Sequence, residues 1–240
     1  MITDSYHEEK SSLFSPGAFL GERRYICDTA IATFSHEIFS EVLKMFPHTE
    51  IANTASANGH KPVFLVEADG KSFVFYMSSI GACLAGNDLI EVQWQTGIKR
   101  LVVFGSCGAL DSEAVNGKYI IPTESYRDEG MSYHYAPSSD YIKIRNSSDL
   151  AGMFTALRLP FVTGRIWTTD APYRETAAAV EKRKKDGCIA VEMELAGLQA
   201  VCDFYDVELY AFLAAGDVLD AEEYRPEGLK EPLNKSRPAD

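Results

Sequence analysis

Two glutamates occupy the point where an apolar segment changes from strand-like to helix-like patterning. Residues 189–191 form a short apolar run typical of a buried strand, and residues 195–201 carry apolar side chains at helical spacing. These patterns predict a strand followed by a helix, with Glu192 and Glu194 at the junction. Because ligands of open α/β sheets bind beyond the carboxyl ends of the strands, carboxylates at this junction indicate a binding site.

A second acidic position follows after one more helix and strand. The next apolar run, residues 209–215, is followed by Gly216 and Asp217, and Asp217 lies 23 residues after Glu194. This interval fits one helix and one returning strand, so the spacing predicts that Glu194 and Asp217 face one pocket. From the residues alone, Glu194 also fits a helix N-terminal acid favoured by the helix dipole, and Asp217 fits a turn after Gly216.

The size and composition of the chain predict one domain over residues 1–240. A chain of 240 residues with 46% apolar content buries enough surface to fold without disulfides or a structural metal. Its five cysteines are an odd number without CxxC spacing, which indicates reduced core residues and no metal site.

The charge of the chain restricts its partners. A formal net charge of −12 disfavours nucleic acid and anionic membranes as partners, because both would be repelled, and leaves small molecules. Residues 1–10 have neither a basic flank nor an apolar segment, and no run of about 18 apolar residues occurs. We therefore expect a cytoplasmic protein.

Alternating apolar runs and breaker residues predict interleaved strands and helices. Ser35 is expected to cap a helix, and Asp69-Gly70 is expected to turn a hairpin. The stretch after Phe104 is expected to be a loop at a strand end, and the basic cluster 182–185 a solvated helix face. The predicted strands are 24–27, 62–67, 72–77, 100–104, 119–122, 160–166, 189–191 and 209–215, and the predicted helices include 83–96, 150–157 and 176–185.

Three sequence features together resemble a known family: VEMELAGL at 191–198, the spacing from it to Asp217, and GSCGA at 105–109. Over residues 25–217 the chain is similar to the nucleoside phosphorylase superfamily, which contains purine nucleoside phosphorylases, uridine phosphorylases and related nucleosidases. The resemblance implies a three-layer αβα fold with a mixed, partly barrel-like central sheet. It also implies a homo-oligomer, either a dimer or a hexamer, and a closing helix that the polar residues 226–240 do not predict.

The resemblance assigns roles to the acidic residues. Glu194 would bridge the ribose 2′- and 3′-hydroxyls, Met193 would pack on the sugar, and Asp217 would protonate a leaving purine. An ionised carboxylate suits a diol because it accepts charge-assisted hydrogen bonds from both hydroxyls. Glu192 belongs either near the ligand or in a structural ion pair.

The resemblance also implies contacts to the base. Ser106, Cys107 and Gly108 would line the base and phosphate pockets, and Tyr173 would stack on a planar base. His134 would contact the sugar or the base, although from sequence alone a packed loop histidine fits somewhat better.

The phosphate site departs from the family pattern. Phosphorolytic members carry Gly-Asp-Pro-x-x-Arg after the first strand, where this chain reads Cys-Asp-Thr-Ala-Ile at 27–31, and an arginine where this chain has Val103. Two phosphate arginines are therefore missing. Ser106 and the backbone amides from Gly105 onward remain as anion ligands, and Arg127 is our first choice for the cation that a phosphate dianion requires.

These features predict a nucleoside phosphorylase that uses phosphate as co-substrate and no other cofactor. The residues by which uridine enzymes read uracil are absent at Thr176 and Ala178, and together with Asp217 this favours purine nucleosides. The alternatives are a nucleosidase using water, which the missing arginines favour, a uridine phosphorylase, and a noncatalytic nucleoside-binding protein.

Overall fold

The structure, a computed structural model, describes residues 1–56 and 59–219. The strands are β1 (Thr29–Thr33), β2 (His48–Ser56), β3 (Gly59–Ala68), β4 (Lys71–Met77), β5 (Arg100–Ala109), β6 (Tyr119–Asp128), β7 (Tyr141–Lys143), β8 (Phe161–Thr169), β9 (Cys188–Glu192) and β10 (Glu208–Val218). The helices are α1 (Gly17–Leu20), α2 (His36–Met45), α3 (Ala82–Thr96), α4 (Ser112–Val115), α5 (Ser132–Tyr135), α6 (Ser147–Ala156), α7 (Ala177–Lys185) and α8 (Leu195–Phe204). Short 3₁₀ helices cover Ile2–Asp4 and Pro172–Arg174. None of the helices in these two ranges is long and apolar enough to cross a membrane.

The strands form one mixed sheet that closes on itself at one end. Strand β10 pairs in parallel with β5 and antiparallel with β6, so β5, β10, β6, β8 and β9 make a closed five-stranded barrel. Strands β1, β4, β3 and β2 extend the sheet outward from β5. The register shifts in the β5–β10, β6–β8 and β8–β9 pairings supply the local bending that closure requires. The prediction of a mixed, partly barrel-like sheet is confirmed.

Helices cover both faces of the sheet, and the alternating side chains of β4 show which helix lies on which face. Because side chains alternate along a strand, Val74 and Tyr76 face one way and Phe75 the other. The first two join the core cluster that contains Leu89 of α3, whereas Phe75 packs with Phe39 of α2. Helices α2 and α3 therefore lie on opposite faces, which gives the three-layer αβα arrangement expected from the sequence.

The structure contains the helix cap, the hairpin turn and the helix end that local residues predict. The Ser35 hydroxyl accepts a hydrogen bond from the Ile38 amide at 3.3 Å and caps α2. Asp69 and Gly70 have φ angles of 50° and 73°, and they join β3 to β4 in a tight hairpin. Helix α3 ends at Gly97, whose φ of 75° is left-handed.

The prediction of a first strand at 24–27 is wrong, because the strand is β1 (Thr29–Thr33). The Arg24 and Ile26 amides instead donate to backbone carbonyls at the end of α3. Strand β1 lies between β4 and β5, where the small side chains of Ala30 and Ala32 are fully buried. Alanine has little strand preference of its own, so the neighbouring strands determine this element. The loop after the first strand therefore begins at Phe34.

Two other predictions are corrected. The stretch 105–109 is not a loop, because β5 continues through it and pairs there with β10 and β9. The basic cluster 182–185 is not uniformly solvated, since Arg183 is buried and its guanidinium lies 3.6 Å from the ring centre of Tyr126. The closing residues 226–240 lie outside the described ranges.

Candidate functional site

A cavity of about 680 Å³ opens at the carboxyl ends of β1, β5 and β10 and at the junction of β9 with α8. It brings together most of the side chains that the sequence marks as functional. The predicted residues that line it are Gly105, Ser106, Cys107, Gly108, Tyr173, Glu192, Met193, Glu194 and Asp217. Two predicted residues, Arg127 and His134, are not part of its lining.

Strand pairing explains why these residues meet. Gly108 of β5 pairs with Val191 of β9 on one side and with Asp217 of β10 on the other. A Cβ atom on Gly108 would lie 3.4 Å from Asp217 Oδ1 and 3.0 Å from Val191 Cγ1. Gly108 thus lies between β9, which ends at Glu192 and leads to Glu194, and β10, which carries Asp217.

Glu194 precedes α8 and is buried at the cavity wall, with 8% of its surface exposed. The Gly81 amide, at the start of α3, donates to Glu194 Oε1 at 2.7 Å. Burial raises the pKa of Glu194, and amide donors, including Gly81, oppose the shift. The carboxylate is therefore held in a fixed position where a ligand in the cavity can reach it.

Glu192 has a different environment, although it also lines the cavity. Its Oε2 accepts hydrogen bonds from the amides of Glu194 and Leu195 at 2.7 and 2.8 Å, and its Oε1 accepts one from the Thr168 hydroxyl. Burial and the nearby Glu194 charge raise the pKa of Glu192. These bonds satisfy amides at the start of α8 that have no partner within the helix. They do not include an ion pair, and because Glu192 also lines the cavity, its place near a ligand stays a prediction.

Glu175 is a cavity residue that sequence reasoning missed. It follows the 3₁₀ helix Pro172–Arg174, is partly buried, and lines the cavity together with Asp217. Burial, with the charge of Asp217 as a second cause, raises the pKa of Glu175 to about 7. In the sequence, Glu175 is only an acid between an aromatic segment and a helix cap, and nothing local indicates which way it faces.

The remaining lining is largely apolar or neutral. Tyr173 is fully exposed at the mouth, where its ring is free to lie against a planar ligand. Phe34, Ile38 and Phe104 form part of the wall. The Cys107 thiol is buried, and desolvation with the charges of nearby carboxylates raises its pKa so far that it stays neutral. This thiol is therefore not an activated nucleophile.

The placement of Arg127 at a phosphate is not supported, because its guanidinium is bound elsewhere. It donates to the hydroxyls of Ser132 and Ser139 and to the Pro137 carbonyl, and it lies 4.1 Å from the ring centre of Tyr133. Strand β6 continues to Asp128, beyond the predicted end at 122, and this longer strand fixes the direction of the Arg127 side chain. The arginine organises the segment that follows β6.

His134 is also away from the main cavity. It lies in the short helix α5 and lines a second pocket of about 500 Å³, formed with residues of the first twenty positions and with Tyr135 and Tyr205. Its predicted contact with sugar or base has no support within this single chain.

The acidic side chains that line the main cavity have no basic counterpart in the described lining. Four carboxyl side chains line it, those of Glu175, Glu192, Glu194 and Asp217, and no Lys, Arg or His among residues 1–56 and 59–219 does so. The hydroxyls of Ser35 and Ser106 lie in the same lining, with Ser35 at the N-terminus of α2. Hydroxyls and a helix start favour an anion, whereas the four carboxyls oppose one unless they retain protons.

Curated relatives with similar sequences are purine nucleoside phosphorylases. The chain is 28% identical over 137 residues to DeoD-type purine nucleoside phosphorylases of Bacillus cereus and Bacillus thuringiensis. The matches cover 55% of this chain and 56% of each relative, so the chain spans about half the length of the curated relatives it matches.

Solved structures with the same fold come from three kinds of enzyme. A purine nucleoside phosphorylase from Toxoplasma gondii in complex with immucillin-H superposes with a TM-score of 0.69 at 17% identity, covering 82% of each chain. A uridine phosphorylase from Vibrio fischeri gives 0.68 at 17% identity, covering 81% of this chain and 84% of that one. A 5′-methylthioadenosine/S-adenosyl homocysteine nucleosidase from Campylobacter jejuni gives 0.66 at 21% identity, covering 82% and 88%. At these identities the likeness shows the fold alone.

The family itself follows from the sequence match. The model of the phosphorylase superfamily matches residues 29–237, which include every strand of the barrel and every residue of the main cavity. The chain therefore belongs to the phosphorylase superfamily, whose members are nucleoside phosphorylases and nucleosidases.

Proposed function

We propose that this protein cleaves the N-glycosidic bond of a purine nucleoside with phosphate, giving the free base and ribose 1-phosphate. The observation that carries the proposal is that Glu194 and Asp217 line one cavity. The names of the curated relatives support the purine assignment.

We assign binding of the sugar to Glu194 and Met193. A carboxylate held by the Gly81 amide is preorganised to accept hydrogen bonds from two adjacent hydroxyls. A group that is already fixed loses little conformational entropy when it binds. Since burial raises the pKa of Glu194, we expect diol binding to strengthen as pH rises and the carboxyl ionises.

We assign binding of the base to the part of the cavity wall that carries Tyr173 and Asp217. Cleavage leaves electrons of the broken C–N bond on the base, and a protonated carboxyl at Asp217 would neutralise that charge by donating to the purine. Tyr173, at the mouth, would cover the flat face of the base.

We assign binding of the nucleophile, phosphate, to the region of Ser106 and Ser35. Both hydroxyls line the cavity, and Ser35 stands at the first turn of α2. A bound dianion also requires a cation, which we assign to a partner copy in a homo-oligomer. We propose phosphate as co-substrate, no metal or organic cofactor, and a cytoplasmic location.

Hydrolysis is the second candidate, and one observation favours it. The described lining of the cavity contains four carboxyls and no basic side chain. Water is neutral and needs no cation, so the same cavity accepts it without the charge penalty that a phosphate dianion meets.

The test is a panel of purine and pyrimidine nucleosides assayed for release of free base with and without phosphate. Release that requires phosphate, with ribose 1-phosphate as product, supports the proposal. Release that is indifferent to phosphate, with free ribose as product, replaces it by hydrolysis. Preferred cleavage of uridine would overturn the purine assignment, and binding without any release would indicate a noncatalytic nucleoside-binding protein.

A further inference from the structure

The loop between β4 and α3, residues 78–81, links the cavity wall to the carboxylate of Glu194. Its Ile80 lines the cavity and is 62% exposed, whereas the Ser78 amide donates to the last carbonyl of β1 at 2.8 Å. At the end of the loop, the Gly81 amide donates to Glu194 Oε1 at 2.7 Å. The position of this loop therefore sets the position of an amide that holds the proposed sugar-binding group.

An ion pair outside the loop binds its middle. Asp88 of α3 is buried, and its Oδ2 accepts a hydrogen bond from the Ser79 amide at 2.7 Å. The same oxygen accepts a hydrogen bond from the ammonium of Lys61 in β3. Lys61 also donates to the Ser79 hydroxyl at 2.5 Å. Ser79 is thus bound through both its backbone and its side chain, two residues before Gly81.

This ion pair is largely buried, since the Lys61 and Asp88 side chains are 30% and 10% exposed. Taking such charges out of water costs free energy that their attraction often offsets only in part, so apolar residues would often stabilise the fold as well. What the pair adds is a fixed direction for the loop backbone, because a charged oxygen binds the Ser79 amide strongly.

The end of the loop depends on such an anchor. Gly81 has a φ of 94°, a region that glycine enters freely and that costs it much conformational entropy to hold. An anchor two residues earlier restricts the directions that the Gly81 amide can take. The bond to Glu194 then forms with less loss of entropy.

We propose that Asp88 and Lys61 are positioning residues for the sugar, because they hold the loop so that the Gly81 amide keeps Glu194 in the orientation that binds the ribose diol. The inference rests on the proposed function, since it takes Glu194 as the group that binds the diol. Neither Asp88 nor Lys61 belongs to the described lining of the cavity, so both act through the loop and not on the substrate.

The kinetic test compares kcat/KM for a ribonucleoside with kcat/KM for the matching 2′-deoxynucleoside. Asp88→Ala removes the acceptor of the Ser79 amide, so the ratio of the two should fall about three- to tenfold, mainly through the ribonucleoside. Asp88→Asn keeps an accepting oxygen but loses the charge, so its ratio should fall less. Equal losses on both nucleosides would overturn the inference, because a merely structural role does not distinguish the two sugars.

Lys61 is tested in the same assay. Lys61→Met removes the cation and the donor to Ser79, so the ratio should fall as it does in Asp88→Ala. Lys61→Arg retains a cation and should keep most of the wild-type ratio. A wild-type ratio in Lys61→Met would overturn the role of this residue.

The matched control is Asp203→Ala on α8, the helix that follows Glu194. Asp203 pairs with Arg145 at 2.6 Å and its side chain is 23% exposed, so the variant removes a comparable ion pair away from the loop. The ratio should stay at its wild-type value. A loss equal to that in Asp88→Ala would contradict the inference, since any weakened ion pair in these helices would then have the same effect.

A double variant tests whether Asp88 acts through Glu194. When Glu194 is already Gln, adding Asp88→Ala should lower the ratio no further, because the two residues belong to one chain of contacts. Losses that multiply in the double variant would show that Asp88 acts independently of Glu194 and would refute the positioning role.

A measurement without substrate follows the amide itself. With glycine-selective nitrogen-15 labelling of the free protein, the Gly81 amide proton should resonate downfield, as expected for an amide bound to a carboxylate, and should move upfield in Asp88→Ala and in Glu194→Gln. An unchanged Gly81 resonance in Asp88→Ala would count decisively against the inference. If the resonance moves but no nucleoside is cleaved, the positioning of Glu194 stands and the proposed function fails.

Discussion

Glu192 and Glu194 lie two residues apart, and the fold gives their carboxylates different tasks. Glu192 accepts hydrogen bonds from two amides and a hydroxyl of its own chain, so its oxygens hold α8 in place. Glu194 instead accepts a hydrogen bond from the amide of Gly81, at the start of α3. We therefore expect substitutions at Glu192 to affect mainly stability and substitutions at Glu194 to affect mainly substrate use.

The first residue-scale prediction concerns Glu194→Gln. The amide offers one accepting oxygen in place of a charged carboxylate, so a charge-assisted bond to the diol worth about 1.5–3 kcal/mol should be lost. kcat/KM for ribonucleosides should fall more than kcat/KM for the matching 2′-deoxynucleosides, measured side by side. Equal losses on the two substrates would mean that Glu194 does not bind the diol.

The second residue-scale prediction concerns Asp217→Asn. An amide cannot donate a proton as an acid, so the rate on purine nucleosides should fall by about 10²–10⁴-fold. A nucleoside whose base leaves without protonation provides the matched control and should keep most of its rate. A silent substitution on purine nucleosides would remove Asp217 from the mechanism.

At the scale of elements, Gly108 is the residue on which β5, β9 and β10 converge. An added Cβ would lie 2.6 Å from Leu219 Cδ1 and 3.0 Å from Val191 Cγ1. Gly108→Ala should therefore lower the free energy of unfolding by about 1–3 kcal/mol and displace the strand that carries Asp217. Gly152→Ala in α6 is the control, since nothing lies within 4 Å of its added Cβ. Chemical denaturation and kcat measure the two effects, and equal stability of both variants would contradict the prediction.

The elements that sequence predicted well are set by nearby residues. Ser35 caps α2 with its own hydroxyl, Asp69 and Gly70 adopt the turn that their side chains permit, and Gly97 ends α3. The junction of β9 with α8 also followed from periodicity, and it placed Glu194 at the cavity wall. Family and fold were confirmed, and VEMELAGL, one of the motifs that carry the resemblance, lies at this junction.

The elements that sequence missed are set by distant neighbours. Strand β1 is recognisable only from its place between β4 and β5, since its alanines carry no strong strand preference. Residues 105–109 are strand because β10 and β9 pair with them. Arg127 and Glu175 were misjudged or overlooked because their directions depend on how far β6 extends and how the 3₁₀ helix Pro172–Arg174 packs.

At the scale of the whole molecule, the buried acids couple stability to pH. Burial raises the pKa values of Glu175, Glu192 and Glu194 above 4.5, their ordinary value. Between 4.5 and the raised values the folded protein holds more protons than the unfolded chain, so the free energy of unfolding should fall as pH rises through neutrality. Thermal unfolding at a series of pH values measures the slope.

The variant Glu192→Gln tests which group is responsible. Removing a titrating group with a raised pKa should flatten the slope, although the variant is less stable overall because it loses hydrogen-bond acceptors at the start of α8. The exposed Glu113 is the control, and Glu113→Gln should leave the slope unchanged. An unaltered slope in Glu192→Gln would assign the coupling to other acids.

The double pairing of β10 has a consequence for how the site comes into being. This strand joins β5 to β6, and the cavity lining therefore runs from Thr33 to Leu219, across most of the described chain. Contacts so far apart in sequence form late, since the loop between them must close first. A ribosome-bound chain that has not yet released β10 therefore has Glu194, proposed to bind the sugar, but it has neither a closed barrel nor Asp217, proposed as the acid for the base. Ligand binding during synthesis would report the moment at which the barrel closes.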